Sequence, residues 1–176
     1  MDKSEEYLRF IRDQAQQLAQ RHKFPESREQ WELTRETTRK KLWQSLGGKR
    51  RGKSDLAVHS HGGTKRDAFG IDKITIQTMP DVRMACNIYV PQGNGPFPAM
   101  LCVHGHWKGA KQDPTVQSRC IGLAKLGFIA MAVDAMGAGE RGIHPELGEY
   151  HGEMTAATLW PSGRILAGLQ VIENMR

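Results

Sequence analysis

Two short stretches concentrate the residue types that could do chemistry. His104-Gly105-His106-Trp107 follows directly on the apolar run Ala99-Met100-Leu101-Cys102-Val103. Asp134-Ala135-Met136-Gly137-Ala138-Gly139-Glu140-Arg141 follows in the same way on Phe128-Ile129-Ala130-Met131-Ala132-Val133. Imidazoles one residue apart at the end of a strand point to the same side, so His104 and His106 have the spacing of a metal-ligand pair. His59 and His61 form a second such pair. Asp134 and Arg141 bracket a glycine-rich loop, where a carboxylate can accept backbone N–H bonds and a guanidinium can act as its charge partner. The three cysteines, Cys86, Cys102 and Cys120, are an odd number, and the first and second lie inside apolar runs. They read as small hydrophobes and not as a disulfide framework or a zinc site.

The elements that must position these residues are legible from periodicity. Tyr7, Phe10, Ile11, Ala15 and Leu18 recur at steps of three and four, one face of a helix. Ser27 with Gln30 three residues on has the pattern of a capping box, which predicts a second helix carrying Trp31, Leu33, Leu42, Trp43 and Leu46 and ending at Gly47-Gly48. The stretch from Gly47 to Arg66 is glycine-rich, basic and without periodicity, and it reads as a loop. Period-two alternation through Ile71, Ile74 and Ile76, and again through Val82, Met84, Cys86, Ile88 and Val90, predicts a β-hairpin about Met79-Pro80-Asp81. Ala99 to Val103 is short and wholly apolar, as in a strand buried on both faces of a parallel sheet. A helix from about Pro114 to Leu126 follows, with Ile121, Leu123, Ala124 and Leu126 facing inward. Phe128 to Val133 is a second buried strand, and a last helix runs from Gly163 to Arg176. Hairpin, strand, helix, strand and helix open an α/β fold with a mostly parallel sheet.

Composition narrows the partners. The formal charge of +6 is unevenly placed: residues 1–66 hold 16 Lys/Arg against 9 Asp/Glu, and residues 67–176 hold 9 against 10. The basic excess belongs to an N-terminal helical extension and loop, 1–66, and not to the α/β part, 67–176. Its densest knot, Lys49, Arg50, Arg51 and Lys53, has no stacking aromatics beside it and reads as a solvated loop, not a nucleic-acid site. No apolar run approaches the roughly 20 residues of a membrane helix. The charged N-terminus lacks the apolar stretch of a secretory signal, so a cytoplasmic location is the expectation.

A strand ending in His-Gly-x, then a helix, then a strand ending in Asp-x-x-Gly-x-Gly resembles the first half of an α/β-hydrolase. With Gly-Glu-Arg after that aspartate and helices at the N-terminus, the chain is similar to the acetyl-xylan-esterase and dienelactone-hydrolase-like branch of that superfamily. The resemblance covers about Ile71 to Arg176. It implies a serine-type carboxylic-ester hydrolase in which the backbone N–H two residues after the histidine of His-Gly-x, here His106, donates to the oxyanion. Gly105 would let the backbone turn sharply there. The candidate catalytic residues are therefore His106, Gly105 and Trp107 of one turn, with His104, Asp134 and Arg141 as structural residues near the site. His144 and His151 read as surface residues near the pocket mouth. The nucleophile of such enzymes sits in Gly-x-Ser-x-Gly, and none of the seven serines has that frame. Asp134 precedes the position of the nucleophile, whereas the catalytic acid follows it, so nucleophile, acid and base are expected beyond Arg176 and the chain alone is expected to be inactive. The resemblance also implies a small-molecule ester as substrate of the full-length protein, no cofactor and no metal. It places the strand at 99–103 beside a further strand that these residues do not supply, leaving an edge open to self-association.

Two other readings stay open at this point. His104 and His106 at a strand end are also how amidohydrolase barrels begin a metal site, although no His-Glu-x-x-His or further ligand motif follows. A chain without a triad could also be a non-catalytic binding module or the product of a degraded gene.

Overall fold

The computed structural model of the protein describes residues 3–21, 23–48, 55–142 and 154–176. The chain forms two compact units, Met1–Leu42 and Trp43–Arg176. The basic knot at 49–53, together with His144 and His151, lies outside the described residues.

The first unit is built from α1 (Lys3–Arg21) and most of α2 (Arg28–Ser45). The capping pattern at Ser27 is formed with one change of partner. The Gln30 N–H donates to Ser27 Oγ (3.2 Å), but the Gln30 side chain accepts from the N–H of Glu26 (2.8 Å) and not from that of Ser27. The apolar stripe of α1 faces solvent at Tyr7, Phe10, Ile11 and Leu18, and α2 buries none of its residues. At the far end of α2 the N–H of Gly48 donates to Trp43 O (2.7 Å) and that of Gly47 to Gln44 O (3.1 Å), with Gly47 at φ +84. This is a Schellman closure, which needs the left-handed residue that glycine supplies.

The second unit is an α/β layer around a mixed sheet of five strands. These are β1 (His59–Lys65), β2 (Phe69–Met79), β3 (Val82–Pro91), β4 (Ala99–Cys102) and β5 (Ile129–Val133), in the order β1-β2-β3-β5-β4. Only β4 and β5 run parallel; the other neighbours are antiparallel. The hairpin closes through Pro80-Asp81, with Asp81 at φ 59, a conformation that aspartate tolerates better than most residues. On one face α3 (Pro114–Lys125) packs Val116, Cys120 and Ala124 against Tyr89, Cys102, Ala130 and Ala132. Asp113 caps α3 by accepting from the Thr115 N–H (2.9 Å), with Pro114 in the first turn. On the other face Ile76, Met84, Cys86 and Val133 form a second cluster. α5 (Leu166–Asn174) reaches that side through the hydrogen bond from Thr78 to Glu173. α4 (Met154–Leu159) is short. Among the described residues no helix is long and apolar enough to cross a membrane.

Four expectations are corrected. The described sheet is mainly antiparallel and not mostly parallel, because only β4 and β5 are joined by a helical crossover, through α3, into a parallel pair. His59–Lys65 is a strand and not part of a loop: it pairs with β2 at the sheet edge, with a bulge between Ser60 and Gly63. All seven of its residues are exposed, so its cause is the backbone ladder, which leaves no hydrophobic alternation in the sequence. β4 is not buried on both faces. Among the described residues it pairs with β5 alone, and Met100 and Leu101 stay 42% and 44% exposed, because its apolar run belongs to an edge strand. Leu126 points to solvent and not inward, because α3 ends at Lys125 and the chain turns there into Gly127 at φ +89.

The cysteines are all buried. Burial pushes the Cys86 and Cys120 thiols from 9.0 up to about 12, with the neighbouring Cys102 adding to the shift at Cys120. The folded state therefore holds these protons more tightly than the unfolded chain does. The stability this contributes is complete below the unfolded value and falls as pH rises from 9.0 toward 12. Urea midpoints are expected to drop above pH of about 9, and Cys86→Ala with Cys120→Ala to flatten that drop. An unchanged slope in the double variant would show that these thiols do not cause it.

Candidate active site

β4 and β5 are parallel, so the loops that leave them emerge at the same edge of the sheet, where open α/β sheets build their sites. The loop after β4 carries Val103, His104, Gly105, His106 and Trp107; the loop after β5 starts at Asp134. Between them and α5 lies an open cavity of about 440 Å³, walled by His104, Gly105 and His106 on one side and by Ala135, Gln170 and Asn174 on the other. Gln170 ties α5 to the second loop, its Nε2 donating to Met136 O at 3.2 Å.

His104 is a bracket between the two loops. Its Nε2 accepts from the Ala135 N–H at 3.1 Å, which leaves Nδ1 as the protonated nitrogen, donating to Gly105 O at 2.7 Å. The Trp107 N–H donates to the same Gly105 oxygen at 2.9 Å, closing a tight turn that contains His106. The turn does not need glycine for steric reasons, contrary to expectation. Gly105 has no positive φ, and a Cβ there would meet only the Trp107 ring, at 3.6 Å, an ordinary contact. What Gly105 contributes is its carbonyl, which accepts from both His104 and Trp107. Trp107 lies over Gly105 and is 41% exposed.

Asp134 is fully buried and accepts three hydrogen bonds. The Lys111 N–H (3.0 Å) donates to Oδ1, and the Glu140 N–H (3.1 Å) and the Lys111 ammonium donate to Oδ2. The expected charge partner, Arg141, is engaged elsewhere: it donates to the backbone oxygen of Asp134 (3.1 Å) and grips the buried Glu173 with two bonds of 2.9 and 2.7 Å. The Asp134 carboxylate is already taken by Lys111 and the Glu140 N–H, while α5 offers Arg141 a planar carboxylate suited to a bidentate pair. Thr78 completes the Glu173 site with a hydrogen bond of 2.6 Å.

Lys111 and Glu173 were the residues no motif singled out. Lys111 lies in Lys108-Gly109-Ala110-Lys111, which reads like any solvated turn. Glu173 carried a usable signal: it stands seven residues after Leu166 in an apolar helix, hence on the face that packs inward.

The two histidine pairs lie apart, at opposite edges of the sheet. Both ring nitrogens of His104 are in hydrogen bonds. His59 and His61 lie on β1, at the opposite edge of the sheet, where His61 Nε2 is 3.1 Å from Thr75 Oγ1. Among the described residues no three of His, Cys, Asp or Glu are grouped as metal ligands.

No protein-family model matches the chain, and no curated protein sequence does either. Solved structures do resemble it. A Bacteroides fragilis protein described as an acetyl xylan esterase superposes with a TM-score of 0.69 at 19% identity, over 85% of this chain and 42% of its own. A methylesterase superposes with a TM-score of 0.61 at 22% identity, over 86% of this chain and 33% of its own. The chain thus spans less than half the length of either. At these identities the likeness is one of fold: the chain has the partial α/β architecture found within these esterases.

Proposed function

We propose that this chain forms the oxyanion side of a serine-type carboxylic-ester hydrolase of the α/β-hydrolase superfamily, close to its acetyl-xylan-esterase and dienelactone-hydrolase-like branch. The observation that carries the reading is the His104–Trp107 turn at the end of β4, set against a cavity whose other walls are the β5 loop and α5. In ester hydrolysis a nucleophile adds to the carbonyl carbon and the carbonyl oxygen becomes an oxyanion. A backbone N–H fixed in advance stabilises that charge by about 3–4 kcal/mol, because it does not have to reorient during the reaction. The His106 N–H has that role here, and the second donor comes from the residue after the nucleophile.

Asp134 is not the catalytic acid in this reading. Its carboxylate is buried and fully engaged by Lys111 and the Glu140 N–H, so it holds loops in place and does not orient a histidine. The nucleophile and its base are supplied by polypeptide other than these 176 residues. The substrates to try first are small acyl esters such as sugar acetates.

The expected result with p-nitrophenyl acetate has two parts. The 176-residue chain gives no saturable turnover, since it lacks a Gly-x-Ser-x-Gly frame. Combined with the polypeptide that carries the nucleophile, it gives activity that a serine-directed phosphonate abolishes and a chelator spares. Loss with chelator and survival with phosphonate would overturn the proposal.

A further inference from the structure

Lys111 is 1% exposed, and its ammonium lies between the carboxylates of Asp134 and Glu140, the latter at 3.3 Å. Apolar side chains of similar volume in place of both Lys111 and Asp134 would fill such a space at no greater cost, since a buried ion pair gains little over good packing. What the ammonium adds is direction. Lys111 binds Asp134 twice, through its side chain and through its own backbone N–H, and Asp134 is the first residue after β5.

From Lys111 a short run of bonds leads back to the candidate oxyanion turn. Gln112 N–H donates to Gly109 O (2.7 Å), Ala110 N–H to Trp107 O (3.0 Å) and Trp107 N–H to Gly105 O (2.9 Å). Ala110 itself is wholly buried at φ 47, a left-handed conformation that alanine takes only when its surroundings enforce it. The loop after β5 is held by the same carboxylate through the Glu140 N–H, and Gln112 reaches across to Glu140 Oε1 at 2.8 Å.

We propose that Lys111 is a positioning residue: its buried ammonium, clamped on Asp134, fixes the turn containing His106 against the loop after β5. The catalytic half of this statement rests on the reading of His106 as oxyanion donor; the positional half does not.

The test uses Lys111→Met and, because a lone buried carboxylate can prevent folding, the double variant Lys111→Met with Asp134→Asn, which removes both charges. Hydrogen exchange of the 176-residue chain reads position without any catalysis. Amides of residues 104–113 are expected to exchange about tenfold faster in the double variant, while the β2–β3 hairpin keeps its protection. In the ester-hydrolysing protein kcat is expected to fall by about 10²-fold with KM little changed, since a misplaced oxyanion donor is felt in the transition state. Unchanged exchange at 104–113 in a folded variant would overturn the proposal. Faster exchange with unaltered kcat would overturn its catalytic half. Absence of hydrolysis in the unsubstituted protein would instead sink the esterase reading and leave the exchange result to decide the rest.

Discussion

Gly139→Ala is expected to cost about 3–5 kcal/mol of stability, a large share of what a domain of this size possesses. Gly139 sits at φ +56, where an alanine is strained by about 1–2 kcal/mol before any contact is considered. A Cβ there would stand 2.6 Å from both Cγ and Oδ1 of Asp134 and 2.7 Å from Oδ2. The carboxylate has nowhere to go: it is fully buried and held by two backbone N–H groups and the Lys111 ammonium. To admit the methyl, either the loop lifts away and the Glu140 N–H loses its acceptor, or Asp134 moves and a buried ion pair opens. Gly122→Ala is the matching control. It lies in α3 with open space around its Cβ, so alanine there is expected to stabilise by about 0.5–1 kcal/mol. Urea midpoints of the two variants should therefore move in opposite directions. A Gly139→Ala midpoint within error of the parent would show that Asp134 is not clamped as described.

The contrast between these two glycines marks what a sequence can and cannot tell. Both look alike as letters, and the difference is made by a carboxylate from another loop. Elements whose cause is local were legible: the β2–β3 hairpin from alternation and Pro80-Asp81, α3 from its apolar spacing, the second helix from Ser27 and the closing glycines. The strand ends that carry His104 and Asp134 were legible too, because apolar runs stop abruptly at polar residues. β1 was not, since an exposed edge strand is held by backbone bonds that impose no side-chain pattern. The exposure of β4 was not legible in its own residues either. An apolar run looks the same whether its second edge is paired or open. At the site, the turn was found and its support was misassigned. Arg141 follows Asp134 closely and reads in sequence as its partner, but the chain brings Lys111 in from the other loop and gives Arg141 to Glu173.

The account turns on one group, the backbone N–H of His106, and a pair of substitutions isolates it. His106→Ala keeps the N–H and removes the imidazole; His106→Pro removes the N–H. An oxyanion donor acts in the transition state, so its loss lowers kcat and kcat/KM together and leaves substrate binding nearly intact. The measurement is steady-state hydrolysis of p-nitrophenyl acetate by the protein that joins this chain to its nucleophile, with thermal unfolding of each variant as a check on the fold. For His106→Pro the predicted loss of kcat is about 10²–10³-fold, and for His106→Ala no more than a few-fold. If alanine is as damaging as proline, the imidazole and not the backbone does the work. If proline leaves kcat unchanged in a folded protein, the oxyanion role assigned to this turn is contradicted.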